Sequence, residues 1–282
     1  MITSRFVLAI SLLGAVAPAT IRAQRTDTIR VGARRVEVLR MGTGSPTLVL
    51  ESGAGEGADE WKGVISDLAQ FTHVVAYSRS GHGQSSAAAS TASPQSSVTE
   101  LHELLETLGE TGPVVLVGHS WGGLLTRLYV STYPTEVAGL VLVDGTHEAQ
   151  FARWAPLNPA FKIIDSIRAF VPKLPPSARG DYDQILAVES AQRVTGMKPL
   201  PTALPIAVIT ALKPCAPERE FTCRDPRALA IWRGLHDEWF SQATTGLRIV
   251  SDRTEHYVMN DQPRLIAQAS RFVVEQVRAP KP

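Results

Sequence analysis

Basic clusters are missing from this sequence. Twenty-eight Lys and Arg stand against 27 Asp and Glu, scattered without a run, for a formal charge of +1 over 282 residues. Such a chain lacks the electrostatic footprint of a nucleic-acid binder, so a small molecule is the expected partner. Cysteine is scarce too: only Cys215 and Cys223 are present, with no histidine adjacent to either. That set argues against a metal site, and neither metal nor cofactor is expected. The apolar stretch from Phe6 to Ala17 is too short to span a bilayer. There is no internal repeat, and the small-residue tract Ser85 to Ser97 reads as a surface loop.

What the N-terminus does carry is Arg5, that apolar stretch, and small residues at Ala17-Pro18-Ala19 with a second candidate cleavage point at Ala23-Gln24. A positive start, a short apolar centre and an A-x-A-like end make a signal peptide. Residues 1–23 are therefore expected to be removed, leaving a domain of 24–282 that is exported, periplasmic or secreted, with no stable membrane anchor. In an oxidising compartment Cys215 and Cys223 are expected to join. Closing so short a loop would add about 2 to 3 kcal/mol in the chain-entropy view.

The length suits one large α/β domain with an insertion. Thr28 to Val31 and Arg35 to Arg40 predict an opening hairpin turning at Gly32-Ala33. Short apolar runs follow at Leu48 to Leu50, Val74 to Tyr77, Val114 to Val117, Leu140 to Val143 and Ile206 to Ile209, with a last one at Leu247 to Val250. Enough chain separates most of them for crossover helices, which predicts a mostly parallel sheet covered on both faces. Ser97 to Glu100 fits a capping box for a helix closed by Gly109, and Asp261 is placed as the cap of the C-terminal helix, with Pro263 in its first turn.

The richest stretch is Gly118-His119-Ser120-Trp121-Gly122, which follows the apolar run Val114 to Val117 and precedes an amphipathic run with Leu124, Leu125 and Leu128 on one face. Strand, G-x-S-x-G and helix in that order form the elbow that lifts a nucleophilic serine to the top of a sheet. Together with Ser52-Gly53-Ala54-Gly55, Tyr77 to Ser85 and His256-Tyr257, it resembles the α/β-hydrolase family over about residues 30 to 278. The resemblance implies a helical lid inserted after the sixth strand, at about 147–200, with a pocket for acyl or alkyl groups. Most lid apolar residues, such as Phe151, Trp154 and Phe170, are expected to form the lid's own core.

A serine hydroxyl needs a base, itself held by an acid. The family's chain order implies Ser120 as nucleophile and His256 as base, although Glu255 stands where the family usually has glycine. His147 is the rival base, and His119 is expected to point away from Ser120. Asp144 is placed as the acid, with Glu218, Glu220 and Asp225 as the alternatives after the following strand. The oxyanion hole is assigned to the backbone N–H groups of Trp121 and Ala54, with Gly55 as the alternative to Ala54, and Ser52 replaces the family's usual histidine. These assignments imply an esterase-like serine hydrolase acting on a small to medium apolar ester. Amidase, imino-peptidase or carbon-carbon bond chemistry on the same triad is the alternative, with Glu148, Asp165 or Asp183 as candidates to hold a substrate amine. A non-catalytic binding protein of the same fold is the third reading.

Overall fold

The computed structural model describes residues 25–87, 92–110, 112–157, 163–175, 179–215, 223 and 225–280. The expected signal peptide, Glu218 and Glu220 lie outside them. The described residues form an eight-stranded sheet with strands β1 (Arg25–Val31), β2 (Arg34–Met41), β3 (Leu48–Glu51), β4 (Val74–Tyr77), β5 (Val114–His119), β6 (Val137–Val143), β7 (Ile206–Ala211) and β8 (Gly246–Ser251). Their spatial order is β1-β2-β4-β3-β5-β6-β7-β8. The hairpin β1-β2 joins β4 antiparallel, and from β4 to β8 every pairing is parallel. Gly32 turns the hairpin at φ 57°, which costs a glycine little.

The central strands carry apolar residues at consecutive positions because both sheet faces are covered. Successive side chains go to opposite sides. Val114, Leu116, Leu140, Leu142, Ile206 and Val208 enter one core cluster, while Val115, Val117, Val141, Val143, Ala207 and Ile209 enter the other. The first face is closed by α2 (Pro94–Leu108) and α3 (Trp121–Thr132), after the short α1 (Ile65–Leu68) has packed on the second. Between β6 and β7 come α4 (Gln150–Trp154), α5 (Ile163–Phe170) and α6 (Gly180–Ala191). Helix α7 (Pro226–Phe240) precedes β8, and α8 (Val258–Asp261) leads to α9 (Pro263–Arg278), which lays Ile266, Ala269, Val273 and Val274 on the second face.

Three expectations are corrected here. The capping box of α2 lies at Ser93 and Ser96, not at Ser97 to Glu100: Ser93 is extended, its Oγ accepts the Ser96 N–H at 3.1 Å, and Pro94 supplies a helical φ at the first position. The helix therefore begins inside the tract expected to be loop. Asp261 does not cap α9 either; Gln262 stands at that position, and the Asp261 carboxylate accepts the Glu255 N–H at 2.8 Å. Finally, the inserted helices do not keep their apolar residues to themselves. Phe151, Ile185 and Val188 are buried in the main cluster, and Trp154 stacks on Trp232 of α7 at 5.2 Å.

Candidate active site

The C-terminal ends of β3, β5 and β6 converge on Ser120. The residue sits at φ 51° and ψ −120°, outside the ordinary regions for a side-chain-bearing residue, between strand β5 and helix α3. Glycines make the crossing possible. A Cβ on Gly122 would overlap the Glu51 carbonyl and lie 2.6 Å from the Ser52 oxygen, and one on Gly118 would lie 2.6 Å from the Gly122 oxygen.

The Ser120 Oγ lies 2.9 Å from His256 Nε2, and His256 Nδ1 lies 2.7 Å from Asp144 Oδ2. In this geometry Nδ1–H donates to the carboxylate and Nε2 is left to accept the serine proton. Asp144 follows β6 at φ 43° and is 3% exposed. Its other oxygen accepts the Ala211 N–H at 2.9 Å and the Trp232 Nε1–H at 2.7 Å, so two donors fix the plane of the carboxylate. Burial alone would raise the Asp144 carboxyl, but the His256 ring bonded to it, with the Ala211 N–H, brings it below the ordinary range, leaving an anion.

Two of the rivals lie among the described residues, and both have other partners. Asp225 caps α7, accepting the Arg227 N–H at 2.8 Å and pairing with the Arg227 guanidinium. His147 is buried against Trp239, with ring centroids 4.6 Å apart, and its Nδ1 accepts the Ala149 N–H at 3.0 Å. Burial pushes that imidazole down to about 4. Of the carboxylates considered for an amine, Glu148 pairs with the buried Arg127, Asp165 pairs with Arg168 at the surface, and Asp183 is exposed.

Around the β3 loop the backbone donors can be followed one at a time. Gly53 N–H goes to Glu60 Oε2 at 3.0 Å, Gly55 N–H to Asp181 Oδ2 at 3.0 Å, Glu56 N–H to the Gly53 oxygen at 3.3 Å, and Ala58 N–H to Ser78 Oγ at 2.9 Å. Among the described residues, the N–H groups of Ala54 and Trp121 have no protein acceptor. Gly55, the alternative to Ala54, already has its proton engaged. Ser52 does not face the cleft as a donor: its hydroxyl accepts from Trp61 Nε1 at 2.9 Å and donates to the Gly57 oxygen at 2.9 Å.

Two features had no counterpart in the sequence reading. Arg79, 4% exposed, donates to the Ser52 and Gly53 carbonyls at 2.6 Å each and to both oxygens of Asp181, which belongs to α6. The inserted helix is thereby tied to the loop that carries Ala54. Burial would raise the Asp181 carboxyl, but Arg79 and His82 hold it far below the carboxylate range. The His119 ring meets Glu60. Nothing in the local pattern around Asp181 or Glu60 marked them, because their partners lie 102 and 59 residues away.

Residues 46–195 match the family model described as alpha/beta hydrolase fold, and the chain belongs to that family. It is 35% identical over 119 residues to (E)-2-((N-methylformamido)methylene)succinate hydrolase of Acinetobacter baylyi, an alignment covering 42% of this chain and 44% of that protein. The chain spans less than half the length of the curated relatives it matches first. Among solved structures, the epoxide hydrolase CorEH superposes with a TM-score of 0.63 at 17% identity, over 90% of this chain and 100% of the other. A thermophilic esterase from Thermogutta terrifontis gives 0.62 at 19% identity, over 92% and 100%. At such identities the likeness is one of fold.

Proposed function

We propose that this chain is an exported serine hydrolase that cleaves a carboxylic ester of a small to medium apolar substrate through an acyl-enzyme. The observation that carries the reading is the continuous line from Ser120 Oγ through His256 to Asp144, at 2.9 and 2.7 Å. In acylation His256 Nε2 takes the serine proton as Oγ attacks the ester carbonyl, and Asp144 holds the ring and stabilises the imidazolium. The developing oxyanion is met by the N–H groups of Ala54 and Trp121. His256 then protonates the leaving alkoxide, and water hydrolyses the acyl-enzyme by the same steps in reverse roles.

Serine at the elbow speaks against the epoxide route, which uses an aspartate nucleophile in this family. The pairing of Glu148 with Arg127 leaves Asp183, among the described residues, as the unengaged candidate for the substrate amine that the imino-peptidase alternative needs. An apolar substrate is favoured by the aromatic surface near the loop: Phe170 and Tyr257 are 45% and 39% exposed, and Tyr182 stands beside both Gly55 and Phe170. Export is supported by the joining of Cys215 and Cys223, whose Cα atoms are 5.3 Å apart. No helix among the described residues is long and apolar enough to cross a membrane.

The test is release of p-nitrophenol from short-chain esters, together with mass spectrometry after organophosphonate labelling. Turnover by the wild type, its loss in Ser120→Ala and a label on Ser120 are expected. A label elsewhere on active enzyme, or undiminished turnover in Ser120→Ala, would sink the reading.

A further inference from the structure

The elbow carries a second imidazole. His119 precedes Ser120, its side chain is 1% exposed, and its two ring nitrogens each face an oxygen. Nδ1 lies 2.6 Å from Glu60 Oε1, and Nε2 lies 3.0 Å from the carbonyl oxygen of His256. A carbonyl only accepts, so Nε2 carries a hydrogen. The Nδ1–Glu60 contact then holds one further proton between a buried carboxylate and a buried ring. Burial opposes a charged Glu60, yet His119 facing it draws the carboxyl below its usual range, so Glu60 can accept from both His119 and Gly53.

Both ends of the pair hold backbone. Glu60 Oε2 accepts the N–H of Gly53, the residue before Ala54, at 3.0 Å. His119 holds the carbonyl of His256. The surroundings leave no slack: a Cβ on Gly53 would lie 3.1 Å from His119 Nδ1 and 3.4 Å from Ser120 Cβ. The His119 ring is 4.7 Å from that of His256 and 5.4 Å from that of Tyr257, and the charge of Arg79 also bears on Glu60.

We propose that Glu60 and His119 are positioning residues, one buried pair that aims the Ala54 N–H through Gly53 and holds the His256 ring against Ser120 through the His256 carbonyl. The inference rests on the hydrolase reading and deepens it. The pair touches no reacting atom. Its effect belongs to the transition state, where the oxyanion and the imidazolium form together, so ground-state binding of a simple ester is little involved.

The experiment uses the full mature protein and p-nitrophenyl butyrate, with active sites counted from the burst. Glu60→Ala and His119→Phe are expected to lower kcat per titrated site by roughly 10- to 100-fold, as small misplacements of reacting groups do, with KM little changed. Glu60→Gln keeps an oxygen for Gly53 and an amide donor for a neutral His119, so it should recover most of the kcat lost in Glu60→Ala. Normal kcat per site in both disruptive variants overturns the proposal, as does Glu60→Gln failing as badly as Glu60→Ala. Should a disruptive variant not fold, or the wild type show neither turnover nor label, proton NMR decides. A downfield ring N–H resonance present in wild type and Ser120→Ala, and missing in Glu60→Gln, supports the pair; its absence from wild type overturns it. Failure of turnover with the resonance intact is then a failure of the hydrolase reading alone.

Discussion

Asp144 illustrates how surroundings single out the residue proposed as the acid. It combines an anion kept below the ordinary carboxylate range, a strained φ of 43° and donors on both oxygens, whereas Asp225 is a half-buried helix cap bonded to Arg227 two residues on. Asp144→Asn should therefore keep the fold while kcat falls by about 10⁴, the effect of amide replacement in the triad template. Asp225→Asn should remain close to wild type in the same ester assay. Collapse of activity in Asp225→Asn, with Asp144→Asn near normal, would move the acid to the segment after β7. The residues that were legible in sequence are those whose chemistry is written in adjacent positions: Ser120 between its glycines, and Asp144 at the end of an apolar run. Asp181, Glu60 and Trp232 were not legible. Each acts on a partner far along the chain, and a lone carboxylate or indole in a helical stretch looks like any solvated or core residue.

At the level of elements, the elbow shows why strand order and helix packing follow from so few residues. Helix α3 crosses β3 closely enough that Gly122 faces the Glu51 and Ser52 carbonyls with no room for a methyl group. Gly122→Ala should cost roughly 1 to 3 kcal/mol or more, because backbone rather than a flexible side chain must yield. Gly234 in α7 has nothing within 4 Å of a built Cβ, so Gly234→Ala should stabilise by about 0.4 to 1 kcal/mol through the unfolded chain. Denaturant midpoints of the two variants against wild type make the comparison, and equal effects would mean the elbow is looser than its contacts imply. The strands were readable because both-face burial leaves uninterrupted apolar runs, as in Leu140 to Val143 within β6. Helix starts were less readable. Ser93 and Ser97 offer similar caps, and the backbone starts the helix at Pro94, which makes Ser93 the cap. Helices were expected between β6 and β7, but their packing was not: the sequence assigned Phe151 and Trp154 to a private core, whereas Phe151 enters the main cluster and Trp154 stacks on Trp232 of α7.

Across the whole molecule, the loops at one edge of the sheet bury polar groups that a folded chain holds in fixed protonation states, and this makes stability depend on pH. His236 is enclosed between Thr210 Oγ1 at 2.6 Å and the Gly145 oxygen at 2.9 Å. Since the carbonyl needs a donor, Nε2 carries the hydrogen and Nδ1 accepts from the hydroxyl, a neutral ring. His147 accepts through Nδ1 and is neutral as well. Burial pushes both down to about 4 from an ordinary 6.5. Between those values the unfolded chain binds protons that the folded one refuses, so stability rises with pH through that window and is lost as pH falls from about 6.5 to 4. Each ring contributes on the order of 3 kcal/mol at most, and less together, because they bear on one another. The Asp144 carboxyl, also depressed, extends the loss to lower pH as it protonates. His73 works in the opposite sense: bonded to Glu110 and raised, it stabilises at low pH and loses that contribution as pH rises through its folded value. It is only half-buried and a single group, so the two buried imidazoles decide the slope. Thermal midpoints followed by circular dichroism should fall steeply from neutrality to pH 4.5 in wild type. His236→Gln should start lower at pH 7.5 and fall less over the same range, since the group that the unfolded chain protonates has been removed. A wild-type midpoint that stays level across this window, or a variant with the same slope, would show that His236 titrates in the folded protein much as it does in the unfolded chain.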